Sequence, residues 1–300
     1  MQEKRAWLTK HADGLRRALM LEPRGHADMC GALLTEPVSA EADAGVLFMH
    51  NDGYSTACGH GPIAVTTIGL ERKLLLPRRE GEVVFDSPAG LIRARPHGVG
   101  PDRVSSVAFT NVPSFVYEAG VTVKLERRAL GADIAFGGAF YAIVDAESAG
   151  VPIEASALPD LRRIGMQIAR GVEAARAIVH PLDPGLCGIS GTIFIGPAHA
   201  ADADLRNVTI FADAAVDRSP CGTETGAVMA VLDAMSLLPS DRALVHESII
   251  GTVLRGRITG RETIGGYDAI VPEIEGSAWI TGEHVFLVDD EDPLRDGFRV

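Results

Sequence analysis

The sequence predicts an α/β protein built from two pseudo-symmetric halves. The order strand, loop, cysteine, helix occurs twice, once around Cys58 and once around Cys221. In addition, 300 residues with 46% hydrophobic content can bury a sizeable core, which favours two domains over one. We place the first half at 1–130 and the second at 131–279, and we expect a last strand at about 280–300 to complete the first half.

Apolar runs and turn residues predict the elements of the first half. Residues 45–50 suit a buried strand, and Asn51-Asp52-Gly53 after them is a strong turn signal. Pro62 follows the first cysteine where helices tolerate proline, and an apolar helix continues to about Leu70. The other strands of this half are predicted within 83–92 and 104–115.

The second half repeats this style. A strand is predicted at 137–144, entered through a glycine pair, and helical spacing of apolar residues predicts a helix over 161–176. A second helix is predicted after the second cysteine, over about 225–238, and Pro239 ends it. The remaining β-like stretches are 192–195, 208–212, 277–280 and 284–288.

Composition excludes several classes of function. The net charge of −12 comes without a basic stripe, which argues against nucleic-acid binding. No apolar stretch approaches the roughly 20 residues of a membrane span, and no signal-like segment begins the chain, so we expect a cytoplasmic protein. Four cysteines without a Cys-x-x-Cys pair, and no histidine cluster with ligand spacing, predict neither a disulfide framework nor a metal site.

Two cysteines carry the predicted chemistry. Cys58-Gly59-His60 and Cys221-Gly222-Thr223 each place a cysteine and then a glycine at the mouth of a predicted helix. A helix N-terminus has unpaired backbone N–H groups and a partial positive charge, so it stabilises a thiolate and binds carboxylates. A lone cysteine is more often a small buried hydrophobe, but two matching sites are harder to dismiss.

Two such thiols suit racemisation at a carbon beside a carboxylate. Removing the α-proton puts a second negative charge next to the first, so the site needs preorganised N–H donors. A thiolate on one face and a thiol on the other can exchange base and acid roles with the direction of turnover. This chemistry requires neither a metal nor pyridoxal phosphate, and we predict no cofactor.

Other polar residues have several interpretations. Asp217 is either a turn residue or an acceptor for a substrate ammonium, and His60 is a base, a thiolate partner or a backbone donor. Cys30 and Cys187 also precede glycine, but no strand-to-helix turn follows Cys30, and we interpret both as structural.

These motifs resemble the proline racemase superfamily, which contains proline racemases, 4-hydroxyproline 2-epimerases and trans-3-hydroxyproline dehydratases. The resemblance runs nearly end to end and is most specific in Asp217-Arg218-Ser219-Pro220-Cys221-Gly222-Thr223. The other stretches that carry it are 22–26, 58–60, 87–90, 111–115, 137–138, 180–181, 272–274 and 276–278.

The resemblance implies a fold like that of diaminopimelate epimerase, with the substrate in a cleft between two pseudo-symmetric α/β domains. It implies Cys58 and Cys221 as the base and acid pair. It also implies that Asp217 lies near the ring nitrogen of a cyclic imino acid and that the family's frequent homodimer is possible. The implied contacts to the substrate carboxylate are Gly59, His60, Gly222 and Thr223.

The resemblance leaves several activities open. Dehydratases of the family usually carry threonine at the second cysteine position, so Cys221 favours two-base epimerisation, with 4-hydroxyproline as the expected substrate. Proline racemisation and trans-3-hydroxyproline dehydration are the alternatives. A non-catalytic imino-acid-binding relic is a third, because Glu224 stands where the family usually has glycine and the family's His-Thr-Gly-Gly-Glu-type opening strand has no counterpart in residues 1–20.

Overall fold

A computed structural model describes residues 1–56, 58–100, 103–126 and 128–299. Two compact units, each with helices and strands, make up the chain, which confirms the predicted α/β class. The first unit comprises Met1–Phe109 and Ser277–Val300, and the second is the continuous stretch Thr110–Gly276.

The first unit is a mixed sheet with helices. Its helices are α1 (Gln2–His11), α2 (Asp13–Met20) and α3 (Gly61–Glu71). Its strands are β1 (Cys30–Thr35), β2 (Ala44–His50), β3 (Gly53–Ser55), β4 (Val83–Ser87), β5 (Gly90–Gly100) and β6 (Arg103–Thr110). Strand β2 pairs antiparallel with β1 and parallel with β4, and β4, β5 and β6 follow as antiparallel neighbours.

The apolar run at 45–50 forms the centre of this sheet, as predicted. Strand β2 is buried except at its last residue, with Leu47 and Phe48 almost fully enclosed. The turn at Asn51 and Asp52 connects it to the antiparallel strand β3. Helix α3 follows and packs against β1 and β5. The first cysteine therefore lies in a short connection between the sheet and a helix.

The second unit is a sheet that closes on itself. Its strands are β7 (Ser114–Lys124), β8 (Ala129–Phe136), β9 (Phe140–Asp145), β10 (Gly191–Gly196), β11 (Leu205–Phe211), β12 (Ala215–Asp217), β13 (Leu244–Ser248), β14 (Val253–Ile264) and β15 (Tyr267–Gly276). Pairing runs β7–β8–β9–β10–β11–β13–β14–β15, and β15 pairs again with β7. Closure leaves no open edge along this path.

Helices cover the two faces of this closed sheet. They are α4 (Ala146–Ala149), α5 (Leu158–Ala175) and α6 (Gly222–Ala234). Helix α5 packs against β10 and β11, whereas α6 contacts β7, β8, β9, β14 and β15. Residues 222–231 of α6 are all buried, so this helix occupies the interior of the sheet.

Strand β9 packs against α5 on one face and against α6 on the other. Alternate residues point to opposite faces of a strand. Phe140, Ala142 and Val144 belong to the core that contains α5, whereas Tyr141 and Ile143 pack with residues of α6. The apolar run at 137–144 thus becomes a strand that is buried on both sides.

Several predicted boundaries differ in the structure. The units divide at Thr110, ahead of the expected 130/131 boundary, because β7 pairs with β8 and β8 pairs with β9. Helix α6 begins three residues before the expected position 225, because the amide of Thr225 donates to the carbonyl of Cys221 at 2.9 Å.

The predictions of strands at 277–280, 284–288 and 280–300 are wrong. Residues 277–299 return to the first unit without forming a strand, and their one sheet-like contact is a bridge between Glu22 and Phe298. The guanidinium of Arg24 donates to the carbonyls of Leu287 and Arg295 instead. The apolar side chains of this segment lack a sheet to cover them, and Val285 is 90% exposed.

None of the helices in the described residues has the length and apolar character needed to cross a membrane.

Candidate functional site

The first predicted thiol lies at the beginning of α3. Helix α3 begins at Gly61, with Pro62 in its first turn and no acidic residue there. A Cβ atom added to Gly61 would lie 3.0 Å from the Sγ atom of Cys58 and 2.5 Å from a ring carbon of Phe48. The thiol therefore lies beside the first helical residue, in a space that glycine leaves open.

Gly59 and His60 complete this helix start. His60 is the N-cap residue, and its carbonyl accepts from the amide of Ala64 at 3.2 Å. The first-turn amides of a helix have no partner within the helix, so they suit an anion. The first unit thus brings Cys58, Gly59 and His60 together, with Gly59 buried and the other two partly exposed.

The second predicted thiol is the N-cap residue of α6. Strand β12 ends at Asp217, and the loop that follows leads to Cys221, which is 5% exposed. The backbone of Cys221 has φ +52° and ψ 139°, a conformation that favours glycine. The loop therefore holds Cys221 in a strained conformation at the positive end of a buried helix.

Asp217 holds this loop through Ser219. Its Oδ1 atom accepts from the amide of Ser219 at 2.9 Å and from the hydroxyl of Ser219 at 2.8 Å. The Ser219 oxygen accepts in turn from the amide of Cys221 at 3.1 Å. The predicted turn role of Asp217 is therefore present, while its role toward a substrate ammonium stays a prediction.

The carbonyl of Pro220, just before the second thiol, accepts two hydrogen bonds. Asn207 Nδ2 donates to the carbonyl of Pro220 at 3.1 Å, and the hydroxyl of Thr225 donates to it at 3.2 Å. The Thr225 oxygen also lies 2.9 Å from Nδ1 of His246. Burial lowers the pKa of His246 to about 3, so this fully buried imidazole is neutral.

A chain of hydroxyl groups ends on the second sulfur. The Sγ atom of Cys221 lies 3.3 Å from the hydroxyl oxygen of Thr223. That oxygen lies 3.1 Å from the phenol oxygen of Tyr141, on β9. Tyr141 belongs to no local sequence motif, although the alternation along β9 indicates that it faces away from Phe140 and Ala142.

Acidic residues affect the phenol of Tyr141. Glu224, in the first turn of α6, is 3% exposed. Burial first, and then the charges of Glu224, Cys221 and Asp217, hold the pKa of the Tyr141 phenol well above its usual range. Tyr141 therefore keeps its proton.

The predicted glycine pair lies against the start of α6. A Cβ atom on Gly137 would lie 2.1 Å from the carbonyl oxygen of Thr223 and 2.7 Å from the amide nitrogen of Ala227. Gly138 has φ +117°, and the carbonyl of Gly137 accepts from Asn111 Nδ2 at 3.0 Å. The absence of side chains here lets the first turn of α6 approach the sheet closely.

The predicted residues form one cluster in each unit. The second unit brings together Asp217, Cys221, Gly222 and Thr223. Cys30 and Cys187 are exposed and form no disulfide, Cys30 begins a strand, and neither lies at a helix start. Each unit thus supplies one thiol at a helix start, where the first-turn amides have no partner within the helix, and this arrangement suits both a thiolate and a carboxylate.

Known proteins match nearly the whole length of the chain. Residues 1–299 match the family model described as proline racemase. A trans-3-hydroxy-L-proline dehydratase of Bacillus cereus is 46% identical over 297 residues, which are 99% of this chain and 89% of that protein. A 3-hydroxyproline 2-epimerase of Burkholderia multivorans is 44% identical over 301 residues, which are 99% of this chain and 89% of that protein.

A solved structure has the same fold. The hydroxyproline epimerase of Agrobacterium vitis, with bound trans-4-hydroxy-L-proline, superposes with a TM-score of 0.87 and is 32% identical. The alignment covers 99% of this chain and 86% of that one. The predicted fold is therefore confirmed.

Proposed function

Because the chain belongs to the proline racemase family, we propose that it inverts the configuration at Cα of a hydroxyproline, using Cys58 and Cys221 as its two acid–base groups and no cofactor. Family membership confirms the predicted enzyme class, an isomerase of the racemase and epimerase type. The observation that carries the finer proposal is the presence of a thiol at a helix start in each unit.

In the proposed reaction one sulfur is a thiolate and the other a thiol. The thiolate removes the α-proton, and the electron pair of the broken C–H bond delocalises into the substrate carboxylate. Backbone amides of Gly59, His60, Gly222 and Thr223 stabilise the charge that develops there. The thiol then returns a proton to the opposite face, and the two sulfurs have exchanged protonation states.

The position of the ring hydroxyl decides between this reaction and dehydration. A hydroxyl on the β-carbon, as in 3-hydroxyproline, can leave when the α-proton is removed, whereas the 4-hydroxyl is one carbon too distant. The sequence favours 4-hydroxyproline, but the two most similar relatives described above are named for 3-hydroxyproline. Dehydration of trans-3-hydroxyproline is therefore the second candidate.

Isotope exchange tests the proposal. In deuterium oxide we expect the protein to incorporate one deuterium at Cα of trans-4- or trans-3-hydroxy-L-proline and to form the epimer. Cys58→Ser and Cys221→Ser should each lower the rate of epimer formation at least ~100-fold, because each removes one acid–base group. Nuclear magnetic resonance and chiral chromatography measure exchange and product.

Two cysteines outside the clusters provide matched controls. Cys30→Ser and Cys187→Ser should leave the rate of epimer formation unchanged. Epimer formation that survives Cys221→Ser would contradict the two-base mechanism, and release of a cyclic imine that survives it would favour the dehydratase. A folded protein that exchanges no deuterium with proline or either hydroxyproline would favour the non-catalytic relic.

A further inference from the structure

We propose that Tyr141 is a positioning residue that stabilises the thiolate form of Cys221 through the hydroxyl group of Thr223. This inference rests on the proposed role of Cys221 in catalysis. It is carried by the chain of two contacts, 3.1 Å from the phenol to the Thr223 oxygen and 3.3 Å from that oxygen to the sulfur.

The fold fixes both ends of this chain. Tyr141 is 6% exposed and lies on the face of β9 that packs against α6, among Ala135, Ile143 and Val228. Thr223 is the second residue of α6, and its backbone lies against Gly137. A phenol has two side-chain torsions and a rigid ring, so packing of this kind holds its oxygen in place.

The protonation state of the sulfur sets the direction of the hydrogen bonds. A thiolate can only accept hydrogen bonds, so the hydroxyl of Thr223 must donate its single hydrogen bond to the sulfur of Cys221. The Thr223 oxygen is then left as an acceptor, and the phenol of Tyr141 donates to it. Because each donor polarises the next, the phenol strengthens the bond that Thr223 makes to the sulfur.

The same chain can serve the protonated sulfur. A thiol is a weak donor, so it can donate a hydrogen bond to the Thr223 oxygen. The hydroxyl of Thr223 then rotates and donates to the phenol oxygen. The change requires rotation of hydroxyl groups and no movement of heavier atoms. It therefore suits a sulfur that alternates between acid and base during turnover.

The surrounding charges explain why a donor is needed. Asp217, from the end of β12, and Glu224, from α6 itself, are acidic residues whose negative charges raise the pKa of the nearby Tyr141 phenol. An ionised carboxylate in the same place also opposes a thiolate. Tyr141, from β9, is neutral, and His246, which contacts α6 through Thr225, is neutral as well. The hydroxyl chain supplies a donor that favours the thiolate against these two carboxylates.

Titration of the thiolate tests the proposal without a substrate. The ultraviolet absorbance of the thiolate is followed against pH, and the same titration of the matching Cys221→Ser protein is subtracted, so that the other cysteines and the tyrosines cancel. We expect Thr223→Val to raise the midpoint by about one pH unit or more, because it removes a hydrogen bond to a charged group. Thr223→Ser keeps the hydroxyl and should restore the wild-type midpoint.

Tyr141→Phe is the decisive variant. It should raise the midpoint by about 0.3 pH unit, since it removes only the polarising donor. The kcat for deuterium exchange should fall about twofold near neutral pH and recover at higher pH, with KM unchanged. A merely structural role would lower thermal stability without moving the midpoint.

The outcomes are distinguishable. An unchanged midpoint in folded Tyr141→Phe overturns the proposal, as do equal midpoints in Thr223→Val and Thr223→Ser. If Tyr141→Phe does not fold, the threonine pair decides, because a midpoint raised in Thr223→Val and restored in Thr223→Ser supports the chain. Raised midpoints in a protein that exchanges no deuterium would refute the proposed function but leave the hydroxyl chain in place.

Discussion

At the scale of single residues, a buried histidine holds the peptide that precedes the second thiol. The hydroxyl of Thr225 donates its one hydrogen bond to the carbonyl of Pro220. Its oxygen is then an acceptor for His246, so we assign the ring proton of His246 to Nδ1. This neutral imidazole supports the loop that presents Cys221, although it lies on β13, far along the chain.

His246 predicts a dependence of stability on pH. The pKa of His246 is about 3 in the folded chain and 6.5 when unperturbed. Below pH 6.5 the imidazole is therefore protonated in the unfolded state and stays neutral in the folded state. Stability from this group is therefore present above about pH 6.5 and is lost as the pH falls towards 3. Between pH 6.5 and 5 we expect a loss of about 2 kcal/mol from this group.

Urea unfolding at neutral pH and at about pH 5 measures this loss. His246→Asn can keep a hydrogen bond to Thr225 but cannot titrate, so its free energy of unfolding should fall less between the two pH values. Equal losses in the variant and the wild type would show that other groups cause the pH dependence.

The positions of some of these residues follow from local sequence, and those of others do not, for a physical reason. Cys58 and Cys221 were predictable because a cysteine, a glycine and a helix start are neighbours along the chain. Tyr141, Asn207 and His246 act on the second loop from three different strands, and single-chain patterns do not reveal which strands become neighbours. Their roles follow only from the register of the closed sheet.

At the scale of elements, the fit between β8, β9 and α6 depends on the glycine pair that joins the two strands. Gly137 faces the backbone of the first turn of α6, so a side chain at this position would meet atoms that cannot rotate away. Helix α6 is buried nearly all round, so it has little freedom to shift. The element that carries the second thiol is thus positioned by backbone contact.

We expect Gly137→Ala to destabilise the protein strongly. The added methyl group would lie 2.1 Å from the carbonyl oxygen of Thr223, so the start of α6 must move. Overpacking of this kind typically costs about 1–3 kcal/mol, and we expect a value at or above the upper end because the neighbour is backbone. Urea unfolding measures the change in the free energy of unfolding.

Gly131→Ala, on the neighbouring part of β8, is the matched control. Its added Cβ would meet no atom closer than 4.0 Å, and the residue is exposed. The free energy of unfolding should change by less than about 0.5 kcal/mol. Similar losses in the two variants would show that the contact with α6 is not the cause.

Periodicity predicted the elements that bury a whole face and failed elsewhere. Helix α5 and strands β2 and β9 have strong apolar patterns, and all three are present. Strand β8 is rich in alanine and glycine, which have low strand propensity, and it was missed. The apolar residues at 284–288 have strand propensity, but they find no partner strand in the described chain.

At the scale of the whole molecule, the two units are built differently. The second is one continuous segment whose sheet closes through the pairing of Phe115 with Ala269 and Ser114 with Ile270. The first is assembled from residues near both ends of the chain, joined by contacts such as those of Arg24 with Leu287 and Arg295. The repeated cysteine motif predicted two α/β halves, but closure depends on residues far apart in sequence and has no local pattern.

This difference predicts that the second unit folds alone. It contains its own core around α5, its strands complete a closed path, and no part of it comes from the other unit's segments. We expect a fragment of residues 110–276 to unfold cooperatively in urea and to show dispersed amide resonances.

A fragment of residues 1–109 provides the comparison, because it lacks the returning segment from 277 onward. It should unfold with a lower midpoint than the fragment of 110–276, or fail to fold. A collapsed fragment of 110–276 without a cooperative transition would show that its closed sheet is not self-sufficient.

The backbone conformation at position 221 has a practical consequence for anyone who engineers this chain. A residue with a Cβ atom at φ +52° is strained by roughly 1–3 kcal/mol, and glycine would relieve that strain. Selection for heat resistance alone would therefore enrich glycine at 221 and discard the sulfur. Under the proposed two-base mechanism glycine at 221 would also abolish epimerisation, so a library screened for both heat resistance and activity should retain cysteine there.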